Sequence, residues 1–557
     1  MSGWFLRRAL FAALAGAAPA VAGAAPAVAA PVRVERPHPI SGRSQFTGAC
    51  PGMFPVTRQD AEGEPILAVN PLNPRNIVAA WTQDTYTQPA VATSLDGGRT
   101  FRPAKLQRAT TCTGGTDKFS LDPWVSFGRD GRSYVTVVAG DATGFPVLSP
   151  MTRVLAYRSA NSGLDWRGPT VVEPADGSFY DKPSVTADPK RRGRVYVVYA
   201  RRTGPQDAST GIGLFRQTRD GGRSYGPRAR TSEPGAQQFP DAAILSVLPD
   251  GSLLNVFIVG RFQRAPLQES QRSRDGGRTW SPPALIGTVS TTQVTDPDTG
   301  QAVQSDPLPS VTVGAHGVVY VTWHEVASAH SSRIALSRSR NGGRSWSRPA
   351  TAISSKAQVF LPTIAAAPDG TLALTWYDTR RDKPGDGQLT TDYWFARSRD
   401  DGRTWIQAHV DGPFDPLQTS STGPAHFIGD YFGLAAVPGG FVTAYTMGPP
   451  RARVGPSDIF FTRIHVAARA RPRLRLVVAP QVVGVGRTTR LRLRVTSRTD
   501  PVRGARVSLG RHAARTDSRG RATLTVVLRR AGGYRVRVTR RGYRAAATTL
   551  RARGDRG

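Results

Sequence analysis

Cysteine is nearly absent from this chain, whose 557 residues include only two, Cys50 and Cys112. Two cysteines so far apart do not have the paired spacing of a thiolate zinc site. Beyond the N-terminus, no segment approaches the run of about 18 apolar residues that a transmembrane helix needs. Phosphate-binding loops and nucleophile elbows are missing as well. These absences argue against a membrane-spanning protein, a P-loop nucleotide hydrolase and an α/β-hydrolase.

The first thirty residues have the pattern of a secretion signal. Arg7 and Arg8 provide the positive start, and the apolar run ALFAALAGAA follows. Small residues come next, with cleavage expected after Ala24, Ala29 or Ala30. The sequence therefore predicts a protein that is secreted or associated with the cell surface.

Export would place both cysteines in an oxidising compartment, where a pair is expected to form a disulfide. A bridge between Cys50 and Cys112 would close a loop of about sixty residues. In the chain-entropy model such a loop stabilises the fold by roughly 4 kcal/mol. The bridge would tie the N-terminal segment to the first repeat of the chain.

The positive charge is concentrated in the C-terminal part of the chain. From Arg469 onward, 25 arginines stand against three aspartates, a net charge of +22 in 89 residues. The preceding 468 residues therefore carry only +12 of the total of +34. In an exported protein, this region is expected to meet an anionic cell-envelope polymer rather than nucleic acid, or else to be a solvated surface. No membrane span is expected, and the protein is expected to be a monomer.

One octapeptide recurs six times at intervals near sixty residues, the mark of repeated supersecondary units. Short alternating strands with glycine turns surround each copy, and no helical period is present. Each unit therefore predicts a four-stranded antiparallel sheet, and radial repetition of such sheets gives a β-propeller. The copies are SLDGGRTF at Ser94, SANSGLDW at Ser159, TRDGGRSY at Thr218, SRDGGRTW at Ser273, SRNGGRSW at Ser339 and SRDDGRTW at Ser398.

The octapeptide has a local structural role as a hairpin between the third and fourth strands of its unit. Its Asp-Gly-Gly core tolerates positive φ, the Asp can accept backbone hydrogen bonds, and the final aromatic residue can pack between sheets. These residues resemble the Asp box, or bacterial neuraminidase repeat, of the sialidase superfamily. The second copy departs from the pattern at Asn161 and Asp165. The resemblance implies an all-β fold in which the box lies away from the active site.

The number of blades is left open between six and seven, and seven is preferred. Strand pairs can begin near Glu64, Asp122, Asp181, Pro240, Pro307, Leu361 and Asp430, which makes seven units against six boxes. A strand from PVRVERPHP or GMFPVTRQ would complete the seventh. The predicted divisions are a signal peptide at 1–30, an N-terminal segment at 31–63, the propeller at 64–466 and a further module at 467–557.

The last module has alternating strands joined by polar turns, as in TTRLRLRVTS and GYRVRVTRRGY. This pattern resembles a small immunoglobulin-like or carboxypeptidase-regulatory-like β-sandwich. Alternation of arginine with leucine or valine places an arginine row on the solvent face. Modules of this kind space or attach a catalytic or binding domain.

The residues that could bind a ligand or take part in catalysis are expected on the face opposite the octapeptide hairpins, around the central channel. Links between blades, and loops between second and third strands, both lie on that face. The competing interpretation is that each aspartate only caps a turn at a strand start. The links carry Asp122, Asp181, Asp241, Asp306 and Asp430, and the loops carry Arg201, Arg202, Arg261, His324, Glu325, Asp378, Arg380 and Arg381.

The resemblance to sialidases implies hydrolysis of sialic acid by an arginine cluster, a tyrosine nucleophile assisted by a glutamate, and an aspartic acid. The Arg-Ile-Pro motif of that family is absent, so the arginines cannot be matched by motif. The predicted catalytic residues are Asp181, Asp378, Glu325, Tyr431 and Asp430, and the predicted substrate-binding residues are Arg201, Arg261, Arg380, Tyr377 and Asp122.

Two classes of function remain open. The first is a secreted sialidase-like propeller that acts on or binds glycans, as an exo-sialidase or as another glycosidase or lyase. The second is a noncatalytic propeller that binds a glycan or a protein at the cell envelope. Fold alone does not decide between them.

No cofactor is expected. Two groups of carboxylates could attract Ca²⁺, because hard cations prefer clustered oxygen ligands. They are Asp296 with Asp298, and Asp382 with Asp386 and Asp392. Their spacing fits no EF-hand loop.

Overall fold

The computed structural model describes residues 32–46, 58–141, 152–203, 210–421, 423, 425–467, 473–497, 499–540 and 542–554. The expected signal peptide and Cys50 lie outside these residues, so the predicted disulfide stays a prediction. Within the described residues, no helix is both long and apolar enough to span a membrane.

Among the described residues, seven antiparallel sheets follow one another along the chain. In sheets 1 to 6 the four strands pair in sequence order. The strands are, for sheet 1, Gly63–Val69, Ile77–Gln83, Gln88–Ser94 and Arg102–Ala104; for sheet 2, Phe119–Phe127, Ser133–Gly140, Thr152–Ser159 and Arg167–Glu173; for sheet 3, Phe179–Ala187, Val195–Thr203, Thr210–Thr218 and Ala229–Ser232; for sheet 4, Gln238–Val247, Leu253–Arg261, Arg264–Ser273 and Ala284–Thr288; for sheet 5, Ser310–Val313, Val319–Ser328, Ser331–Ser339 and Ala350–Ser355; and for sheet 6, Val359–Ala366, Leu372–Asp378, Thr391–Ser398 and Ile406–Phe414.

Sheet 7 combines the two ends of this region. Its strands Gly433–Val437, Gly440–Met447 and Asp458–Val466 pair in order. The N-terminal strands Val32–Val34 and His38–Pro39 both add to its last strand, with Val32 opposite Val466. A segment from the start of the described chain therefore supplies the outer strands of the final sheet.

The first strand of every sheet contacts the first strand of the next, and the first strand of sheet 7 contacts that of sheet 1. The seven first strands thus form a closed ring, the arrangement of a β-propeller. Smaller elements lie outside the seven sheets. They are the small sheet Val294–Thr295, Ala302–Val303 and Ala425–His426 and the 3₁₀ helices Thr111–Thr113, Ala315–Gly317 and Pro416–Gln418.

The hydrophobic core lies between adjacent sheets rather than at the centre of the ring. Each neighbouring pair of sheets shares an apolar cluster, as where Tyr196 and Phe215 of sheet 3 meet Leu245 and Phe257 of sheet 4. Because both faces of a sheet are covered, its second strand is buried almost throughout, as in Ile77–Gln83. Side chains at the inner ends of the first strands are left to line the channel.

The octapeptides form the hairpins between third and fourth strands, as the fourth copy illustrates. The Asp275 carboxylate accepts from the backbone N–H groups of Arg278 and Thr279, each at 3.0 Å, and from the Thr279 hydroxyl at 2.6 Å. Gly277 has φ +91°, and a Cβ there would lie 2.2 Å from the Phe215 ring of the neighbouring sheet. The octapeptide therefore closes its own turn and fits against the preceding sheet.

The C-terminal part contains two sheets that share one apolar core, with Leu491 and Val495 from one sheet and Val536 and Leu550 from the other. The first C-terminal sheet contains Leu474–Ala479, Thr488–Ser497, Asp500–Pro501 and Arg521–Val527, and the second contains Val482–Gly484, Arg506–Leu509, His512–Arg515, Gly532–Thr539 and Ala546–Arg553.

Candidate functional site

A strained bulge marks the channel end of five first strands. In each, one residue other than glycine has a positive φ, and the pairing with the second strand shifts there. Such a conformation costs roughly 1–2 kcal/mol for an L-residue, and backbone strain of this kind clusters at functional sites. The residues are Glu64 (φ 55°), Asp122 (53°), Lys182 (43°), Ala242 (46°) and Leu361 (52°).

Carboxylates from six of the seven sheets, or from the links that lead into them, converge at the mouth of the channel. Two cations lie among them, and these eight side chains influence one another electrostatically. We call this set the channel-mouth network. Its carboxylates are Glu64, Asp122, Asp181, Asp241, Asp306 and Asp430, and its cations are Lys182 and Arg202.

Lys182 connects three sheets across the channel. Its Nζ lies 2.6 Å from Asp430 Oδ2 and 3.5 Å from Asp122 Oδ1. Glu64 lies next to Asp122. Its Oε2 accepts from the Thr82 hydroxyl at 2.9 Å and from the Asp122 N–H at 3.4 Å. Burial alone would lower the pKa of Lys182, but Asp122, Asp430 and Glu64 outweigh it and raise the pKa well above its usual value.

Arg202 forms the second charged bridge, between sheets 3 and 4. Its Nη2 lies 3.1 Å from Asp181 Oδ2 and also contacts Asp241 Oδ2. The guanidinium stacks over the Phe239 ring, 4.1 Å from the centroid. Both cations of the network are therefore already paired with carboxylates.

The excess of carboxylates over cations favours retention of protons. Burial raises the pKa of Glu64 to about 7 although Lys182 opposes the shift. Burial likewise raises the pKa of Asp122 well above its usual value, and that of Asp241 to a lesser extent. Glu64 is therefore partly protonated at neutral pH.

Asp306 differs from the other carboxylates because it is exposed. Its carboxylate has no hydrogen-bond or ion-pair partner among the described residues. Asp306 is in contact with solvent, but the surrounding protein reduces its solvation. This partial burial, together with repulsion from the negative charge of Asp430, raises the pKa of Asp306 to about 6. Asp306 is the accessible acid of the channel-mouth network.

Asp306 and Asp430 line one cavity of about 130 Å³. Its walls are otherwise largely apolar and include Trp124, Leu308 and Tyr431. The Trp124 and Tyr431 rings contact each other with centroids 5.1 Å apart. An apolar pocket with aromatic rings and a few convergent polar groups is the usual form of a ligand site.

Four residues predicted from the sequence belong to this site. Asp122, Asp181 and Asp430 are members of the channel-mouth network, and Tyr431 lines the cavity. The Tyr431 hydroxyl donates to the Pro123 carbonyl at 3.2 Å, and burial raises its pKa well above the usual value. Tyr431 is therefore a neutral phenol with no activating carboxylate in hydrogen-bond contact, which does not suit the nucleophile that the resemblance implied.

The structure corrects the expectation that Asp378 lies with Asp181 and Asp430 around the central channel. Asp378 is fully buried and accepts from the Arg380 N–H at 2.9 Å, from the Trp376 indole at 3.1 Å and from the Arg380 guanidinium. Its partners lie in its own strand and turn. Asp378 therefore holds a turn of sheet 6 and is not part of the network.

Two more predicted residues have structural roles. Tyr377 is completely buried, and its hydroxyl donates to the Thr446 carbonyl at 2.7 Å. Glu325 accepts from the Trp323 indole at 2.9 Å and pairs with Arg333 at 2.7 Å within sheet 5. The tyrosine–glutamate pair expected from sialidases is not formed by either tyrosine.

The predicted arginine clamp is not assembled. Arg261 donates to the Ala265 carbonyl of its own hairpin, and Arg380 contacts Asp378 and stacks on Trp394 at 4.0 Å. Arg201 points away from its neighbour Arg202, since successive side chains of a strand lie on opposite faces. Arg202 is the arginine that reaches the channel mouth.

The site contains residues that the sequence analysis left out of its predicted sets, namely Glu64, Lys182, Arg202, Asp241 and Asp306. A signal for Glu64 and Lys182 was present, because the segments EP, DP and KP occupy the same place at the start of sheets 1, 2 and 3. Aligning them would have grouped Glu64 and Lys182 with Asp122.

Each of the two groups considered for Ca²⁺ contains carboxylates that accept from backbone N–H groups. Asp298 accepts from the Gly385 N–H at 2.7 Å, and Asp382 accepts from the Thr390 N–H at 2.7 Å. Within the described ranges, no three His, Cys, Asp or Glu side chains are grouped as a metal ion would require.

No protein-family model matches this chain, and no curated protein matches it. A protein of unknown function from Dyadobacter fermentans is similar in structure, with 12% identity, a TM-score of 0.43 and coverage of 78% of this chain and 99% of that one. An α-L-arabinanase from Penicillium chrysogenum has 14% identity, a TM-score of 0.39 and coverage of 62% and 94%.

A sialidase from Trypanosoma rangeli has 12% identity and a TM-score of 0.39, and the similarity covers 77% of this chain and 58% of that protein. Similarities at this level assign neither a family nor an activity. The basis for a function of this chain is therefore the chemistry of the channel-mouth network.

Proposed function

We propose that this protein is an exported seven-bladed propeller that hydrolyses glycosidic bonds of neutral or positively charged glycans at its channel mouth. The closed ring of seven first strands supports the blade number, and the N-terminal sequence pattern supports export. The observation that carries the activity is Asp306, an exposed and unpaired carboxyl group with a pKa raised to about 6 beside a second carboxylate.

The proposed chemistry assigns different roles to the two carboxyl groups of the cavity. Asp306 in its acid form donates a proton to the glycosidic oxygen as the bond to the anomeric carbon breaks. Asp430 acts as the carboxylate, stabilised by Lys182 at 2.6 Å and by the Gln304 amide at 3.2 Å. It takes the proton of the attacking water or bonds to the anomeric carbon first, and the anomeric configuration of the product distinguishes the two.

The charge of the network supports the proposed substrate class. Six carboxylates surround two cations, and both cations already contact carboxylates. A sialoside would bring a further carboxylate to a site without a free arginine fork, which is unfavourable. A neutral sugar avoids this cost, and the positive charge of an amino sugar would be attracted to the excess carboxylates.

The test compares purified protein with Asp306→Asn and Asp430→Asn variants on aryl glycosides of neutral sugars, amino sugars and sialic acid. Each variant is expected to lose turnover by roughly 10²- to 10⁴-fold, the usual contribution of a general acid or base. Asp306→Asn should leave the melting temperature unchanged, whereas Asp430→Asn should lower it because Lys182 loses a buried partner. Glu233→Gln, which changes an exposed surface carboxylate, is the control and should retain activity. Turnover restricted to sialosides would refute the substrate class.

A noncatalytic glycan-binding propeller is the second candidate, favoured by the Trp124–Tyr431 ring pair in the cavity wall. Aromatic rings beside an apolar pocket can hold a sugar without any chemistry. In that case no glycoside is turned over, and Trp124→Ala abolishes glycan binding while Asp306→Asn changes affinity only.

A further inference from the structure

The first C-terminal sheet presents arginines on its outward face. In Thr488–Ser497 buried leucine or valine alternates with exposed arginine, so that Leu491, Leu493 and Val495 enter the core while the arginines point to solvent. The two flanking strands add one outward arginine each. We call this surface the arginine face, and it consists of Arg475, Arg490, Arg492, Arg494 and Arg521.

Four of the five arginines of the arginine face are not neutralised by any described residue. The strands Leu474–Ala479, Thr488–Ser497 and Arg521–Val527 contain no Asp or Glu. Arg521 pairs with Asp517 at 3.4 Å, whereas the other four arginines have no ion-pair partner among the described residues.

Like charges are also placed directly opposite each other, since Arg494 is the cross-strand partner of Arg521. Like charges directly opposite each other destabilise a sheet. The five charges therefore do not serve the stability of this sheet, and an anionic ligand would relieve their repulsion.

The spacing of the arginines indicates the form of the ligand. Arg490, Arg492 and Arg494 are alternate residues of one strand, so their Cα atoms recur at about 7 Å. Each guanidinium can bind a phosphate oxygen pair through two N–H groups. An extended polymer whose phosphates are separated by short spacers could place successive phosphates against the three arginines.

We propose that the arginine face binds a linear phosphodiester-linked polyanion without bases, such as a polyol phosphate polymer. Single-stranded nucleic acid has a similar backbone, but proteins that bind it provide aromatic platforms for the bases. The three strands of the arginine face contain no Phe, Tyr or Trp. This binding is independent of the glycan chemistry proposed for the channel.

The test uses the full-length protein and poly(glycerol phosphate) of defined length as the probe. A triple variant, Arg490→Ser, Arg492→Ser and Arg494→Ser, removes the central row. Its matched control, Arg535→Ser, Arg537→Ser and Arg551→Ser, removes three exposed arginines from the second C-terminal sheet. Both triples lower the net charge by the same amount, and melting temperatures verify that both fold.

The central triple is expected to weaken binding roughly 10- to 100-fold near 0.1 M salt and to reduce the slope of log K against log salt by about 2. The control triple should weaken binding less than about 3-fold. If a triple fails to fold, the single variants Arg492→Glu and Arg537→Glu repeat the comparison.

Equal losses in both triples would overturn the proposal, because they would mean that only net charge matters. Tighter binding of a single-stranded oligonucleotide or of polygalacturonate than of the probe would overturn it as well. So would failure of the unmodified protein to bind the probe at 0.1 M salt.

Discussion

Lys182 Nζ lies 2.6 Å from Asp430 Oδ2, and this contact joins the first strand of sheet 3 to the link that leads into sheet 7. Asp122 of sheet 2 contacts the same ammonium group at 3.5 Å. Three separate sheets thus depend on one largely buried cation. The channel mouth is held together by charges whose balance changes with pH, and this leads to measurable consequences.

The first prediction concerns Lys182. Lys182→Met leaves Asp122 and Asp430 without their shared cation, and removal of one partner of a buried ion pair costs about 3–5 kcal/mol. The loss should be smaller at pH 5 than at pH 8, since protonation relieves the uncompensated carboxylates. Denaturant unfolding at both pH values measures it, with Lys383→Met as an exposed control. Equal loss for both variants would contradict the role assigned to Lys182.

The second prediction concerns Glu64, whose pKa is raised from 4.5 to about 7 by burial. Between these values the folded protein holds a proton that the unfolded chain has released, so this group's contribution to stability falls as pH rises. Glu64→Gln should flatten the decline of melting temperature between pH 4.5 and 7. Superimposable curves for variant and unmodified protein would be the contrary result.

The third prediction concerns the pH dependence of catalysis. Asp306 must be protonated to donate, so kcat/KM should decrease as pH rises through about 6. The profile is measured from pH 4 to pH 8 with a neutral aryl glycoside. A rate that stays level or increases across pH 6 to 8 would exclude Asp306 as the acid.

The fourth prediction concerns the octapeptide turn. Asp275→Ala removes acceptors for two backbone N–H groups and the Thr279 hydroxyl, and should destabilise the protein by about 1–2 kcal/mol with ligand affinity unchanged. Asp275→Asn is the matched control, because Asn341 forms equivalent bonds in the fifth copy. A fully stable but inactive Asp275→Ala protein would show that the octapeptide has a functional role instead.

The fifth prediction concerns the two cysteines. Cys112 lies in the short helix Thr111–Thr113, and Cys50 lies outside the described residues. Non-reducing mass analysis of exported protein should show one peptide pair that contains Cys50 joined to Cys112. Recovery of two alkylated thiols from native protein would disprove the bridge.

The sequence determined the repeating architecture, because the features that specify it are local. Each octapeptide closes its turn with hydrogen bonds that span at most four residues, as between Asp275 and Thr279. Alternation within the strands likewise specifies which side chains are buried, as in Thr488–Ser497. Such features can be recognised from a short stretch of sequence.

The sequence also indicated where functional residues would gather, but it could not separate members from neighbours. Asp122, Asp181 and Asp430 proved to be in the channel-mouth network, whereas Asp378 is capped within its own turn. Both kinds of aspartate occur at strand ends in similar sequence. The difference lies in the direction of the side chain relative to the channel, which depends on the packing of the whole ring.

Only the tertiary structure decided the chemistry of the network. Lys182 and Asp430 are 248 positions apart, and closure of the ring alone brings them into contact. The raised pKa values of Glu64 and Asp306 arise from burial and from the charges of other sheets. Local sequence specifies turns and strand faces through short-range hydrogen bonds and periodicity, whereas proton affinity is a property of the assembled surroundings and exists only once the sheets have met.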